Sequence, residues 1–204
     1  MKQPARLFAA LFFIGVGPLA GQEPLLQQQM DTAVLPLPST LLGEAGVLSW
    51  IGPGQTEQLR KSRNGMSCSV DDPSDDRFDV RCYHDGFWPA IRRARQLRQT
   101  LASWEDVAQQ LRDEVSLGEL TLPSAPTAGY RMLGPIAAYD PTSKTAGPEI
   151  AKWQSIHFPF RTAREMGLAE VKELSEPFST GLMPYVMASG TWWSHVMIVH
   201  EPFE

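Results

Sequence analysis

Two cysteines constrain this chain more than any other feature. Cys68 and Cys82 are its only two and stand 14 positions apart, behind an N-terminal segment laid out as an export leader. Lys2 and Arg6 precede an apolar run from Leu7 to Val16, and Ala20 and Gly21 stand before polar Gln22. That order of charged, apolar and small residues predicts a signal peptide over 1–21, with a run too short to span a bilayer. Outside the reducing interior, two lone thiols at this separation are expected to join in one intrachain disulfide. The closed loop contributes about 3 kcal/mol by the chain-entropy account. Two buried free thiols are the alternative, while a zinc pair calls for tighter ligand spacing.

Loss of the 21-residue leader from 204 residues leaves 183, enough for one domain with a real core. The formal charge is −5, and the leader carries two cations and no acid, so the mature chain stands at −7. A net negative body argues against a nucleic-acid partner, whose phosphates must be neutralised by Lys and Arg. No later stretch has the length and apolarity of a membrane helix, so no membrane span is expected in the mature protein. Position 22 holds Gln and not the cysteine of a lipoprotein. A secreted or periplasmic soluble protein is the expectation.

Residues 22–46 mix Gln, Pro and Leu without steady period and read as a tether or loosely packed arm. A single folded domain is expected over 47–204. Residues 47–51 form a strand candidate stopped by Gly52, Pro53 and Gly54, which lack the Lys-Ser or Lys-Thr of a phosphate loop and read as a turn. Between the cysteines, 66–70 and 78–84 alternate as strands, so a hairpin stapled near its base is the simplest arrangement. Its loop carries Asp71, Asp72, Asp75, Asp76 and Asp79 without the glycine and distal glutamate of an EF-hand. A solvated acidic loop is expected over calcium.

From 87 to 116 apolar residues recur in steps of three and four: Trp88, Ile91, Ala94, Leu97, Leu101, Trp104, Ala108, Leu111 and Val115. That period specifies an amphipathic helix, either one of about 45 Å or two joined near Ser103, where Ser103 and Asp106 resemble a capping box. The apolar stripe is expected as core. Arg92, Arg93, Arg95 and Arg98 in the first half and Glu105, Asp106, Asp113 and Glu114 in the second read as a solvated face. After a loop at 118–129, residues 130–133, 155–160, 184–188 and 192–199 pattern as strands, with one short helix around 164–174 and Ser189-Gly190 as a hairpin turn. The sum is α+β: one long amphipathic helix, or two joined helices, packed on a mostly antiparallel sheet with one disulfide.

Motifs that carry chemistry are few. The chain has no G-x-S-x-G elbow, no HExxH and no phosphate loop. Ser194 and His195 are strand neighbours and point to opposite faces. His157 and His195 occupy similar settings, Trp-Gln-Ser-Ile-His-Phe and Trp-Trp-Ser-His-Val, each inside an apolar strand. Side by side, those strands would bring both rings to one pocket. Alternation puts His195 on the face of Trp193 and Met197, and Met183, Tyr185 and Met187 on one face of the preceding strand. If the faces coincide, His157, His195, Met187 and Met197 form a soft set suited to copper, with zinc as the other metal considered. In the competing reading the methionines fill core gaps, backbone groups satisfy the histidines, and no cofactor is expected.

Asn64, Gly65, Met66, Ser67 and Cys68, with Cys82, make one recognisable patch. Residues 129–133 followed by Asp140 and Pro141, and Ile156 with His157, make others; the strongest are 184–187 and 190–197. In these segments, from 47 to 202, the chain resembles a family of exported bacterial proteins of unassigned function. That family tends to have Trp in place of Met66, and Pro-Tyr-Ala in place of Trp192, Trp193 and Ser194. The resemblance implies that the disulfide and the two strand histidines belong to a common design, and it supplies no reaction.

The functional expectation is a secreted or periplasmic domain that binds an unidentified ligand or protein partner and does not catalyse. Its candidate surface is the C-terminal hairpin with Tyr185, Trp192, Trp193 and His195, because aromatics beside polar tips are favoured at interfaces. A copper- or zinc-binding protein using the strand histidines is the alternative. A hydrolase with His157 or His195 as general base is the third, and it needs a nucleophile or carboxylate within about 3 Å of an imidazole nitrogen.

Overall fold

The strand signals spread along the chain assemble into one continuous sheet. The computed structural model describes residues 22–72, 76–171 and 184–199; the expected leader, Asp75 and Met183 lie outside them. The strands are β1 (Gly46–Gly52), β2 (Gln55–Arg60), β3 (Met66–Ser69), β4 (Arg77–His84), β5 (Thr127–Pro135), β6 (Tyr139–Asp140), β7 (Thr145–Ala146), β8 (Ala151–His157), β9 (Ala169–Glu170), β10 (Tyr185–Met187) and β11 (His195–Val199). Among the described residues nine of them form a sheet in the order β2-β1-β3-β4-β5-β8-β11-β10-β9, and β6 pairs with β7 apart. Neighbours run antiparallel except β1 with β3 and β10 with β9.

Four helices complete the described fold, α1 (Gln22–Ala33), α2 (Trp88–Leu97), α3 (Trp104–Ser116) and the single turn α4 (Ala163–Met166). The amphipathic stretch is thus two helices. Ser103 caps α3 through a capping box with Asp106, whose backbone N–H donates to the Ser103 hydroxyl while its carboxylate accepts from the Ser103 N–H. Trp88, Ala94, Leu97 and Leu111 from the apolar stripe are buried, but Trp104, in the first turn of α3, is 59% exposed. The arginines are not simply solvated. Arg93 on α2 clamps Glu114 on α3 at 2.6 Å, and the Arg95 guanidinium lies 3.7 Å from the centre of the Trp50 ring.

Side chains alternate across a strand, so β4 sends Phe78, Val80 and Cys82 to one face and Asp79, Arg81 and Tyr83 to the other. On the first face Ala33, Val34 and Leu37 pack with Val47, Cys68 and Cys82. Residues 22–46, expected as a tether or arm, are therefore a helix followed by a docked segment, held by Ala33, Val34, Leu37 and Ala45 with Met30, Leu41 and Leu42 packed against them. On the second face Phe87, just before α2, and Ile91, Val107 and Leu111 of α2 and α3 pack against Leu48 and Tyr83. The predicted disulfide is present, Cys68 directly opposite Cys82 with Cα atoms 3.9 Å apart. The turn expected at 52–54 ends the β1–β2 hairpin. Gly54 there has φ +69°, and a Cβ would sit 2.4 Å from Arg92 O on α2, so both backbone conformation and space call for glycine.

Two C-terminal elements differ from expectation. The last strand begins at His195 and not at 192, and Ala188 to Ser194 form a longer turn in which Ala188 and Gly190 take positive φ. The short helix stops at Met166, where Gly167 closes it in the left-handed region; residues 172–174 lie outside the described ones. No helix among the described residues is long and apolar enough to cross a membrane.

Candidate functional site

The two helices cover only part of the second face, and the remainder is laid out in rows set by the registers of β4, β5, β8, β11 and β10. Thr127, His157, His195 and Met187 form one row of directly opposed residues. The next holds Tyr83, Gly129, Ser155, Met197 and Tyr185, and a third runs Arg81, Arg131 and Trp153. The faces of β8, β10 and β11 coincide, and the four residues of the soft ligand set meet on one surface.

His157 and His195 face each other across the β8–β11 pair, ring centres 4.9 Å apart and planes inclined by 31°. Trp193 stands 4.5 Å from the His157 ring, and Phe87 and Tyr83 close in at 4.9 and 5.6 Å. His157 is 1% exposed and His195 8%. Burial, the larger influence, and the neighbouring His195 push the His157 pKa well below its usual 6.5. Burial also lowers that of His195, against a smaller raising effect from its bond to Trp193. Both rings are consequently neutral at pH 7.

Neutral imidazole has one N–H and one lone pair, and the partners decide which nitrogen carries which. His195 Nδ1 lies 2.6 Å from the carbonyl oxygen of Trp193 and donates to it, which leaves the lone pair on Nε2. His157 Nε2 lies 3.0 Å from Ser155 Oγ, whose hydroxyl in turn reaches the Gly129 carbonyl oxygen at 3.5 Å. With Ser155 donating to the carbonyl it accepts from His157 Nε2–H, and the lone pair falls on Nδ1. That Nδ1 is buried without a partner. Gly129 makes the arrangement possible, since a Cβ there would stand 2.7 Å from Ser155 Oγ and 2.8 Å from His157 Nε2.

A cavity of about 450 Å³ lies over these rows, walled by both histidines, Met187, Met197, Trp153 and Trp193. It shares Tyr83, Trp104, Glu105, Arg131, Ala188 and Trp193 with a second cavity of about 480 Å³ beneath α2 and α3, so the two form one cleft. At its edge Asp79 accepts from Arg131 Nε and Nη2 at 2.8 and 2.7 Å and pairs with Arg81. Burial alone would raise the Asp79 pKa, but Arg131 and Arg81 together outweigh it and hold the carboxyl below its usual range.

The hairpin aromatics turn inward. Tyr185 is fully buried, Trp192 is 7% exposed within the helix-facing core, and Trp193 is half-buried edge-on to Tyr83. They make cleft wall and core rather than a projecting hairpin surface. The catalytic requirement is met only in part: a serine hydroxyl is 3.0 Å from His157, but it faces the N–H nitrogen, and no carboxylate among the described residues orients Nδ1. Arg81, Arg131, Asp79, Tyr83, Ser155 and Trp153 carry no sequence motif. Gly129, read from the sequence as the end of the 118–129 loop, lies inside β5. No protein-family model matches the chain, and neither a curated protein nor a solved structure does.

Proposed function

We propose that this is an exported protein, secreted or periplasmic, that binds a small ligand in the cavity over the His157 and His195 rows. One observation carries the reading. Five buried side-chain polar atoms among the described residues have no hydrogen-bond partner: Ser62 Oγ, Thr127 Oγ1, Trp153 Nε1, His157 Nδ1 and Tyr185 Oη. All but Ser62 belong to the same three rows of the same face.

An unpaired buried polar group costs about 1–3 kcal/mol, and folds keep few of them. Four gathered on one face, two of them, Trp153 Nε1 and His157 Nδ1, on residues that line the cavity, are groups awaiting a partner that the polypeptide does not supply. Aromatic and thioether walls with a few convergent polar atoms are the usual make-up of a small-molecule or ion site. The disulfide on the opposite face pins β3 to β4 and so fixes Tyr83, Arg81 and Asp79 as one wall. Export is supported by the leader-like N-terminus and by the disulfide, which persists outside the reducing interior.

Native mass spectrometry of the mature protein, purified without a polyhistidine tag from its own host's exported fraction, tests the reading. The expected result is an added mass that leaves on denaturation, with a melting temperature that rises when the same species is returned. A ligand at 100 times its dissociation constant adds about 2.7 kcal/mol. A bare polypeptide mass, with no stabilisation by any member of a panel of metabolites and metal ions, would overturn it.

A further inference from the structure

We infer that the ligand of this cavity is a copper(I) ion, held by the two imidazoles of His157 and His195 and the two thioethers of Met187 and Met197. The inference rests on the binding reading above and names its ligand class. Each histidine has the pattern of a metal ligand. One nitrogen is committed to a protein acceptor, Trp193 O for His195 and Ser155 Oγ for His157, and the other is left with its lone pair. Such outer bonds fix the tautomer and aim the ring at the metal. His157 Nδ1 is the sharper case, a lone pair without a partner on a ring that is 1% exposed and lines the cavity.

The sheet register supplies the thioethers. Met187 lies directly opposite His195, and Met197 follows His195 by two positions on the same face. Both line the cavity with the histidines. The rings themselves are already 4.9 Å apart, so little movement brings two nitrogens to one ion.

The donor set selects the metal. Among the described residues no three His, Cys, Asp or Glu side chains come together, which leaves the site short of what zinc or calcium takes from a protein. Two imidazoles with two thioethers are soft, and thioethers favour copper(I). Tyr83, Phe87 and Trp193 stand 5.6, 4.9 and 4.5 Å from the His157 ring, an apolar surround that favours the lower charge.

The test uses the unmodified mature protein, free of any tag, titrated anaerobically with copper(I) delivered as its bicinchoninate complex. One equivalent should pass to the protein, bleaching the chelate, and X-ray absorption at the copper edge should show both nitrogen and sulfur neighbours. Silver(I) should compete for it and zinc(II) should not. The paired variant Met187→Leu with Met197→Leu, nearly conserving volume, should keep its near-UV circular dichroism and lose at least tenfold in copper(I) affinity. His157→Gln should lose more. Transfer of under a tenth of an equivalent overturns the inference. If an organic molecule still co-purifies, the binding reading survives it; if nothing binds, both fall. Copper bound with no sulfur neighbour, or unchanged affinity in the double methionine variant, overturns the ligand assignment.

Discussion

Gly129→Ala puts one methyl group where the site has no room, and the cost follows from the neighbours. The new carbon would lie 2.7 Å from Ser155 Oγ, 2.8 Å from His157 Nε2 and 3.0 Å from Tyr83 Cδ1. Ser155 has a rotamer to turn to, but turning ends its contact with His157, worth about 0.5–1.5 kcal/mol. His157 cannot retreat, because Phe87 and Trp193 stand 4.9 and 4.5 Å from its ring. Forcing a methyl into a filled core costs about 1–3 kcal/mol. Against this, alanine loses less backbone freedom on folding than glycine, a gain of about 0.4–1 kcal/mol. The balance is a destabilisation of about 2 kcal/mol, which for a chain of this size lowers the melting temperature by roughly 4–8 °C. Urea and thermal unfolding monitored by tryptophan fluorescence read it directly. An alanine variant as stable as the parent, with an unchanged His157 ring resonance, would refute the packing argument.

Cys68→Ser should cost about 3 kcal/mol and lower the urea midpoint accordingly, with reduction of the parent protein giving the same midpoint; an unchanged midpoint would show that the cross-link does not constrain the unfolded chain. Leu111→Ala, at a fully buried position between α3 and the sheet, should cost about 2–5 kcal/mol by equilibrium unfolding, and a loss under about 1 kcal/mol would remove the helix layer from the core. Asp79 has a native pKa below its unfolded value of ~3.9, so its contribution is complete above that pH and fades as pH falls through the depressed native value. Between pH 5 and 2 the parent should therefore lose stability more steeply than Asp79→Asn, and parallel pH profiles would contradict the Arg131 and Arg81 pairing.

The elements that were legible are those whose pattern is local. The disulfide needed only the spacing of Cys68 and Cys82 and an oxidising address. The helix break needed only Ser103 and Asp106 within one turn. Strand β2 (QTEQLR) gave no alternation because it is an edge strand with neither face deeply buried. Helix α1 hid in a polar stretch because it meets the body mainly at its end, where Ala33 is buried. The histidine pairing was half visible: similar strand contexts pointed to it, while the register that opposes His157 to His195 belongs to the assembled sheet. The Asp79, Arg81 and Arg131 cluster was invisible for the same reason, since positions 79 and 131 meet only through strand pairing.

The two ends of the sheet carry a last consequence. Among the described residues, strand β2 ends the sheet on one side with Gln55, Glu57 and Arg60, and β9 ends it on the other with only two residues. Unpaired backbone at a sheet border is a template for another chain, and charge or extreme brevity blunts it. Among the described residues the sheet is thereby guarded against fibre growth at both borders, with its long strands sealed between neighbours.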